Sequence, residues 1–280
     1  MDVLEKAKEL EEKALAKKKP KKVAPAAEII QLPIWPETTR GFPNVIARSS
    51  LFNARRPNTP REMVKNLSVS SAANANIRYT GEELRQDDET VLMQLIHLTQ
   101  HQSFFDSVQF TPYSFLSSIG WATNGQNYNK LITVIERLTA TGIFIGSAGF
   151  NVGTSLIRRF VYQDEITEER LSIWTVWLEP EIIKLFQSSG YCRITWAQRT
   201  ALKKPLAQWL QAYYATHQEP YPVKIETIRD LSGSKTLALK SFRETLKKAL
   251  DELVKVGFLK LYLLDEKGLV HVKRNGKINA

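Results

Sequence analysis

A chain of 280 residues with 43% hydrophobic and 24% charged side chains has the make-up of a globular protein long enough for two compact units, which excludes wholesale disorder and membrane-embedded classes. No run of 18 apolar residues occurs, and Asp2, Glu5, Lys6 and Glu9 stand where a signal peptide needs an apolar core, so a cytoplasmic chain without a membrane partner is expected. The single cysteine, Cys192, excludes an internal disulfide framework, and the formal net charge of +10 directs attention to polyanionic partners.

The first 19 residues are helix-prone, with Val3, Ala7, Leu10 and Ala14 on one stripe that is too short for a coiled coil. The stripe runs into Lys17, Lys18, Lys19, Pro20, Lys21 and Lys22, so residues 1–35 read as a flexible basic tail. Pro36, Pro43, Pro57 and Pro60 then interrupt every candidate helix, and 36–75 is expected to be an extended arm lying on the folded body. A strand at Ile77–Gly81 precedes an amphipathic helix capped by Asp87 and Asp88 and carrying Val91, Leu92, Leu95 and Ile96. Thr111 and Pro112 open a short helix to Ser118. After the break at Asn124-Gly125, residues 127–141 return to helical period with Leu131, Val134, Ile135 and Leu138 on one face, and Gly142 is expected as the left-handed end. Two β-rich stretches follow, 143–145 and 155–162, separated by a glycine-containing loop, 146–153.

The same order recurs 115 residues later without a gap. Leu95 aligns with Leu210, Leu116 with Leu231, Leu131 with Leu246, Ile135 with Leu250, Leu138 with Leu253, and Gly142 with Gly257. The second copy predicts helices over 205–214, 225–231 and 237–256, then a hairpin of 258–264 and 269–272 around Asp265–Gly268. Helix, short helix, turn, long helix, glycine and hairpin is the winged-helix order. The expected fold class is α+β: two tandem winged-helix domains related by pseudo-symmetry, residues 76–190 and 191–280, behind an N-terminal flexible basic arm.

A helix-turn-helix reads DNA by placing its second helix in the major groove, where side chains with donors and acceptors meet base edges. In the first copy the candidates are Asn124, Gln126, Asn127, Asn129, Lys130 and Arg137; in the second they are Ser234, Lys235, Thr236, Lys240, Ser241, Arg243 and Lys247. Lys240, Arg243 and Lys247 share a face opposite Leu246, Leu250 and Leu253. Arg158 and Arg159, and Lys267, Lys273 and Arg274, are candidate wing contacts to phosphate. Charge favours the second copy: residues 76–180 hold 7 basic and 12 acidic groups, whereas 181–280 hold 18 and 9. A solvated basic helix face is the plain alternative. His97 and His101, four apart without a further ligand, read as a surface pair and not a metal clamp. Asp87-Asp88-Glu89 reads as helix capping. With no phosphate-binding lysine loop, dinucleotide glycine pattern or nucleophile elbow, no catalytic site, metal or cofactor is expected.

Ordered identities spread along the chain resemble the TrfA family of plasmid replication initiators. They include Arg48-Ser49 with Leu51-Phe52, Tyr79-Thr80-Gly81 with Leu84-Arg85 and Asp87-Asp88, Gly120-Trp121 with Asn124-Gly125, Arg137-Leu138, and Glu219-Pro220-Tyr221-Pro222 with Lys224, Glu226-Thr227, Arg229 and Gly233-Ser234. The resemblance implies binding to directly repeated iterons in double-stranded plasmid origin DNA. It also implies opening of an adjacent AT-rich region into single strands, recruitment of host helicase-loading proteins, and a monomer–dimer equilibrium in which the first module dimerises. Initiators of this kind carry a pentapeptide for the polymerase sliding clamp, and the nearest match is Gln31, Leu32, Ile34 and Trp35 around Pro33. Proline at the centre and tryptophan at the end depart from that pattern, and these residues could instead staple the arm to the body. A winged-helix transcriptional regulator of a plasmid or mobile element, and a protein-docking scaffold without DNA, are the other functions such a chain could serve.

Overall fold

The computed structural model describes residues 32–57, 59–72, 75–100, 107–147, 150–188 and 190–276. The helix-prone start, the lysine run, Gln31 and His101 lie outside the described residues.

The segment expected to lie on the body as an extended arm is built into it. Thr39–Pro43 forms strand β1, with every residue buried, followed by one helical turn, α1 (Asn44–Ala47). Next come β2 (Phe52–Asn53), paired parallel with β5 (Leu84–Arg85), and β3 (Met63–Val69), paired antiparallel with β4 (Asn76–Glu82). The prolines do exclude long helices, but extended backbone suits them, and Pro43 closes β1 at φ −61 and ψ 131.

Helix α2 (Gln86–Thr99) is buried on almost every side. Its polar groups tolerate this because each is paired. Asp88 accepts from the Arg85 backbone N–H at 2.7 Å, the capping expected of it, and the Gln86 amide donates to the Phe52 carbonyl at 2.6 Å. Arg40 Nε donates to Gln94 Oε1 at 2.8 Å, with its guanidinium 4.6 Å above the Trp196 ring; burial lowers the Arg40 pKa to about 10. His97 is a correction to the surface-pair reading: it is buried in this helix, receives the Trp35 indole N–H on Nδ1 at 2.9 Å, and faces Glu37 from Nε2 at 2.9 Å.

Strand β6 (Ser107–Phe110) leads to α3 (Pro112–Ser118), where the Thr111 hydroxyl accepts from Ser114 N–H at 3.3 Å, and then to α4 (Gly125–Thr139). From here the strand register differs from the expected one. β7 (Gly142–Ser147) pairs with β8 (Phe150–Thr154) in a four-stranded sheet, β3-β4-β7-β8. A separate hairpin, β9 (Ile157–Gln163) and β10 (Arg170–Leu178), joins β6 in the order β6-β10-β9. The presumed glycine loop is therefore largely strand, and Gly153 serves close approach: a Cβ there would lie 2.6 Å from the Phe144 ring. Gly142 is not the left-handed end of α4. The helix stops at Ala140 (φ −80, ψ 20), and Thr141 turns the chain by donating its hydroxyl to the Leu138 carbonyl at 2.9 Å and accepting from Leu156 N–H at 3.0 Å.

After α5 (Pro180–Ser188), β11 (Tyr191–Thr195) pairs back onto β1, so the start of the segment assigned to the second module is joined to the arm. There follow α6 (Trp196–Ala201), α7 (Pro205–Ala215), β12 (Val223–Lys224), α8 (Ile225–Leu231), α9 (Leu239–Lys255), β13 (Leu259–Leu264) and β14 (Leu269–Arg274). The last three strands form a sheet in the order β12-β14-β13. Gly257, at φ +74, supplies the left-handed turn after α9 that favours glycine. One core unites Leu206 and Leu210 of α7, Ile228 of α8, and Phe242, Leu246, Leu250 and Leu253 of α9 with Val270 of β14.

Cys192 is buried in β11, and burial pushes its thiol up to about 12. The native chain should give no reaction with a thiol-specific disulfide reagent at pH 8 and one equivalent after denaturation; prompt native labelling would refute the burial.

Candidate nucleic-acid interface

Helix α9 is the most cationic exposed helix among the described residues. Its heptad-like stripe of Phe242, Leu246, Ala249, Leu250 and Leu253 is buried, and burial of these side chains, at about 1.5–3 kcal/mol for each large one, fixes the rotation of the helix. That rotation leaves Lys240, Ser241 and Glu244 exposed, with Arg243 and Lys247 partly so. Lys247 Nζ is 3.8 Å from Glu244, a surface pair that holds the lysine only weakly. The β13–β14 hairpin is anchored beside the helix: Tyr262 Oη donates to Asp251 at 2.6 Å, and with burial and this carboxylate the phenol is pushed up to about 12. At the hairpin turn Asp265 accepts from Leu269 N–H at 2.8 Å and faces His271 at 3.0 Å, partners that hold its carboxyl below the usual range. Lys267 at this turn and Lys273 on β14 are exposed.

Arg274 is a correction. It is half-buried, donates to the His217 carbonyl at 2.8 Å and lies 5.2 Å over the Phe258 ring, so it holds the hairpin to the body and does not face outward as a wing cation. Lys235 and the two hydroxyls of the α8–α9 turn also have internal partners. The Ser234 hydroxyl donates to Thr236 at 3.2 Å, and Lys235 Nζ sits 2.5 Å from both Glu62 oxygens just before β3. The turn is braced by the former arm, with Ala54 N–H donating to the Ser232 carbonyl at 2.8 Å.

The corresponding surface of the first copy is occupied or acidic. Asn124 caps α4, its side chain accepting from Asn127 N–H at 3.0 Å, while Asn127 Nδ2 donates to the Ala122 carbonyl at 2.7 Å. Asn129 accepts from Arg170 at 2.8 Å. Lys130 lies 4.0 Å over the Trp121 ring and 3.5 Å from Asp87. Burial alone would raise the Asp87 carboxyl, but Arg61 and Lys130 hold it below the usual range. Arg137 leaves the candidate set: its side chain is 8% exposed and donates to Glu82 at 2.6 Å and to Asp88 at 2.5 Å. Arg159 stacks at 4.8 Å on Trp177, and Arg158 and Gln126 are exposed. The β9–β10 turn carries Asp164, Glu165, Glu168 and Glu169, which repel phosphate.

The TrfA protein family model matches residues 1–274. The chain belongs to the TrfA family. A relative, the plasmid replication initiator protein TrfA of Escherichia coli, is 34% identical over 244 residues, which are 86% of this chain and 63% of the relative. The chain thus spans less than two thirds of that protein's length. Among solved structures, domains 2 and 3 of RctB superpose with a TM-score of 0.56 at 15% identity, over 83% of this chain and 98% of that one. The Pi initiator protein, solved in complex with iteron DNA, has a TM-score of 0.49 at 10% identity, over 67% and 92%.

Within this TrfA-family chain the clamp-binding reading needs correction. Trp35 is 2% exposed, hydrogen-bonded to His97 and stacked 5.7 Å from Phe186, so it staples the segment to the body; among the described residues of the segment Ile34 is 84% exposed and Leu32 is partly buried. Among the described residues no helix is long and apolar enough to cross a membrane, and no group of three His, Cys, Asp or Glu side chains is placed to hold a metal. Charge and hydrogen-bonding capacity pass over one further residue at this surface, Leu237. Its signal in the sequence is a leucine off the buried stripe of α9, inside a polar turn.

Proposed function

We propose that the chain is a plasmid replication initiator that binds repeated sites in double-stranded origin DNA through two winged-helix modules, the second providing the main grip. The observation that carries this reading is a repeated topology. In each half a helix, a strand, a short helix and a long helix occur in that order, followed by a hairpin directly in the second half and after the interposed β7–β8 hairpin in the first, and the sheets run β6-β10-β9 and β12-β14-β13. The strand between the first two helices therefore pairs with the last strand of the hairpin in both halves. In the second half the long helix turns Lys240, Ser241, Arg243 and Lys247 away from its buried stripe, and the hairpin exposes Lys267 and Lys273, residue types suited to phosphate anchoring with base reading. Family membership supports the assignment to plasmid replication, and opening of the AT-rich region and recruitment of host factors belong to the same proposal.

The acidic β9–β10 turn and the internal partners of Asn124, Asn127 and Asn129 make the first module the weaker DNA contact. This division of labour leaves its surface for protein contacts, including a second copy.

Arg243→Ala is expected to lower affinity for origin repeats about tenfold or more, the loss of about 1–3 kcal/mol that accompanies removal of a base contact. Lys240→Ala with Lys247→Ala should flatten the dependence of log affinity on log salt by about two, near one for each phosphate that is no longer neutralised. Fluorescence anisotropy across a salt series measures both. Unaltered affinity in Arg243→Ala and an unaltered slope in the double variant would remove α9 from the interface.

A further inference from the structure

We propose that Leu237 is a specificity-determining side chain of this interface, seated against the C5 methyl group of a thymine in the major groove. The inference rests on the DNA-binding reading of α9 and extends it to an apolar residue.

Leu237 is 94% exposed, the most exposed of the large hydrophobic side chains in the described residues. It stands two residues before Leu239, where α9 begins, and so at the end of the helix that enters a groove first. It takes no part in the buried stripe of Phe242, Leu246, Ala249, Leu250 and Leu253. Its position is held from below. The α8–α9 turn is fixed by the Ala54-to-Ser232 backbone hydrogen bond and by the Ser234–Thr236 hydroxyl contact, to which the exposed Lys235–Glu62 pair adds little. An apolar group is thus displayed on a braced turn at the mouth of a cationic helix.

The surroundings choose the occupant. The neighbours of Leu237 in sequence are Ser234, Lys235, Thr236, Ala238, Leu239 and Lys240; Leu239 is half-buried against the core of the second half, which leaves a polar and cationic frame with only the small Ala238 beside it. An apolar protein partner would need a contiguous apolar patch, and a single leucine in such a frame does not supply one. A duplex matches both parts of the pattern: phosphates meet the cations, and the thymine methyl is the apolar feature that a major groove offers to a side chain. The equivalent position of the first copy, 115 residues earlier, is Ala122, which is also exposed but far shorter. The second module alone therefore has the reach for this contact.

The test uses the full chain and a duplex that it selects from a pool of randomised double-stranded DNA. Each thymine of the selected duplex is replaced in turn by deoxyuridine, which removes one methyl group and leaves base pairing intact. At one or two positions the wild-type chain should lose about fourfold in affinity, the equivalent of one buried methyl group. Leu237→Ala should bind thymine and uracil alike at those positions, and Leu237→Met should keep the discrimination. With the side chain 94% exposed, Leu237→Ala should leave thermal stability unchanged. Indifference of the wild-type chain to every uracil, or discrimination retained in Leu237→Ala, would overturn the proposal while leaving DNA binding intact. Enrichment of no sequence at all would instead overturn the DNA-binding reading beneath it.

Discussion

Arg199→Ala should destabilise the fold by about 3–5 kcal/mol, the cost of leaving one half of a buried ion pair alone. Arg199 is wholly buried in α6 and donates to Glu89 at 2.9 Å, to the Gln86 carbonyl at 3.1 Å, to the Thr90 hydroxyl at 3.0 Å and to the Gln208 carbonyl at 2.9 Å. One guanidinium thereby ties α6 to α2 and α7, across the boundary between the two halves. Burial pushes the Glu89 carboxyl up, opposed by Arg199. Loss of the arginine removes that opposition, so the folded chain favours protonated Glu89 more strongly than the unfolded chain does. With the folded pKa raised, stability rises as pH falls towards the ordinary glutamate range, and the deficit of the variant should be smaller at pH 5 than at pH 8. Denaturant unfolding at the two pH values reads this directly. A loss under about 1 kcal/mol, or a deficit that grows on acidification, would contradict the paired arrangement. Arg199→Met combined with Glu89→Met should recover part of the loss, because no buried charge is then left alone.

Trp35→Ala should cost a similar amount, about 3–5 kcal/mol for a large aromatic side chain deleted from a packed site. The indole is stacked on Phe186 and tilted 5.8 Å from Tyr191, and it donates to His97. It also fills the space over Gly41, where a Cβ would meet the ring at 2.5 Å. Trp35→Phe keeps the stacking and loses the N–H donor, leaving His97 Nδ1 without that partner, and should cost about 1–3 kcal/mol. If Trp35→Ala unfolds at the wild-type denaturant midpoint, the ring is not a staple and the clamp-binding reading of this segment regains its footing.

The helices of the second half were legible because their causes are local. A 3.6-residue stripe placed Leu246, Leu250 and Leu253 together, Gly257 marked the end, and Asp265–Gly268 marked the hairpin turn. The arm was not legible, because β1 finds its partner some 150 residues away and its prolines look the same in a loop and at a strand end. Glycine misled in the first half for a similar reason: Gly153 permits contact with Phe144, a tertiary cause that a local pattern reads as a loop. Charge and helical phase placed Lys240, Arg243 and Lys247 on the side of α9 turned away from its buried stripe. They could not show that Arg137 and Arg274 turn inward, since Glu82, Asp88 and the His217 carbonyl are distant in sequence.

The most direct test of tandem DNA recognition is hydroxyl-radical footprinting of the full chain on a plasmid origin carrying direct repeats, beside the same DNA with the repeats scrambled. Protection should recur with the period of the repeats, strongest over one segment of each and weaker over a second about 10 base pairs, one helical turn, away. Uniform protection of both templates, or none on either, would contradict it.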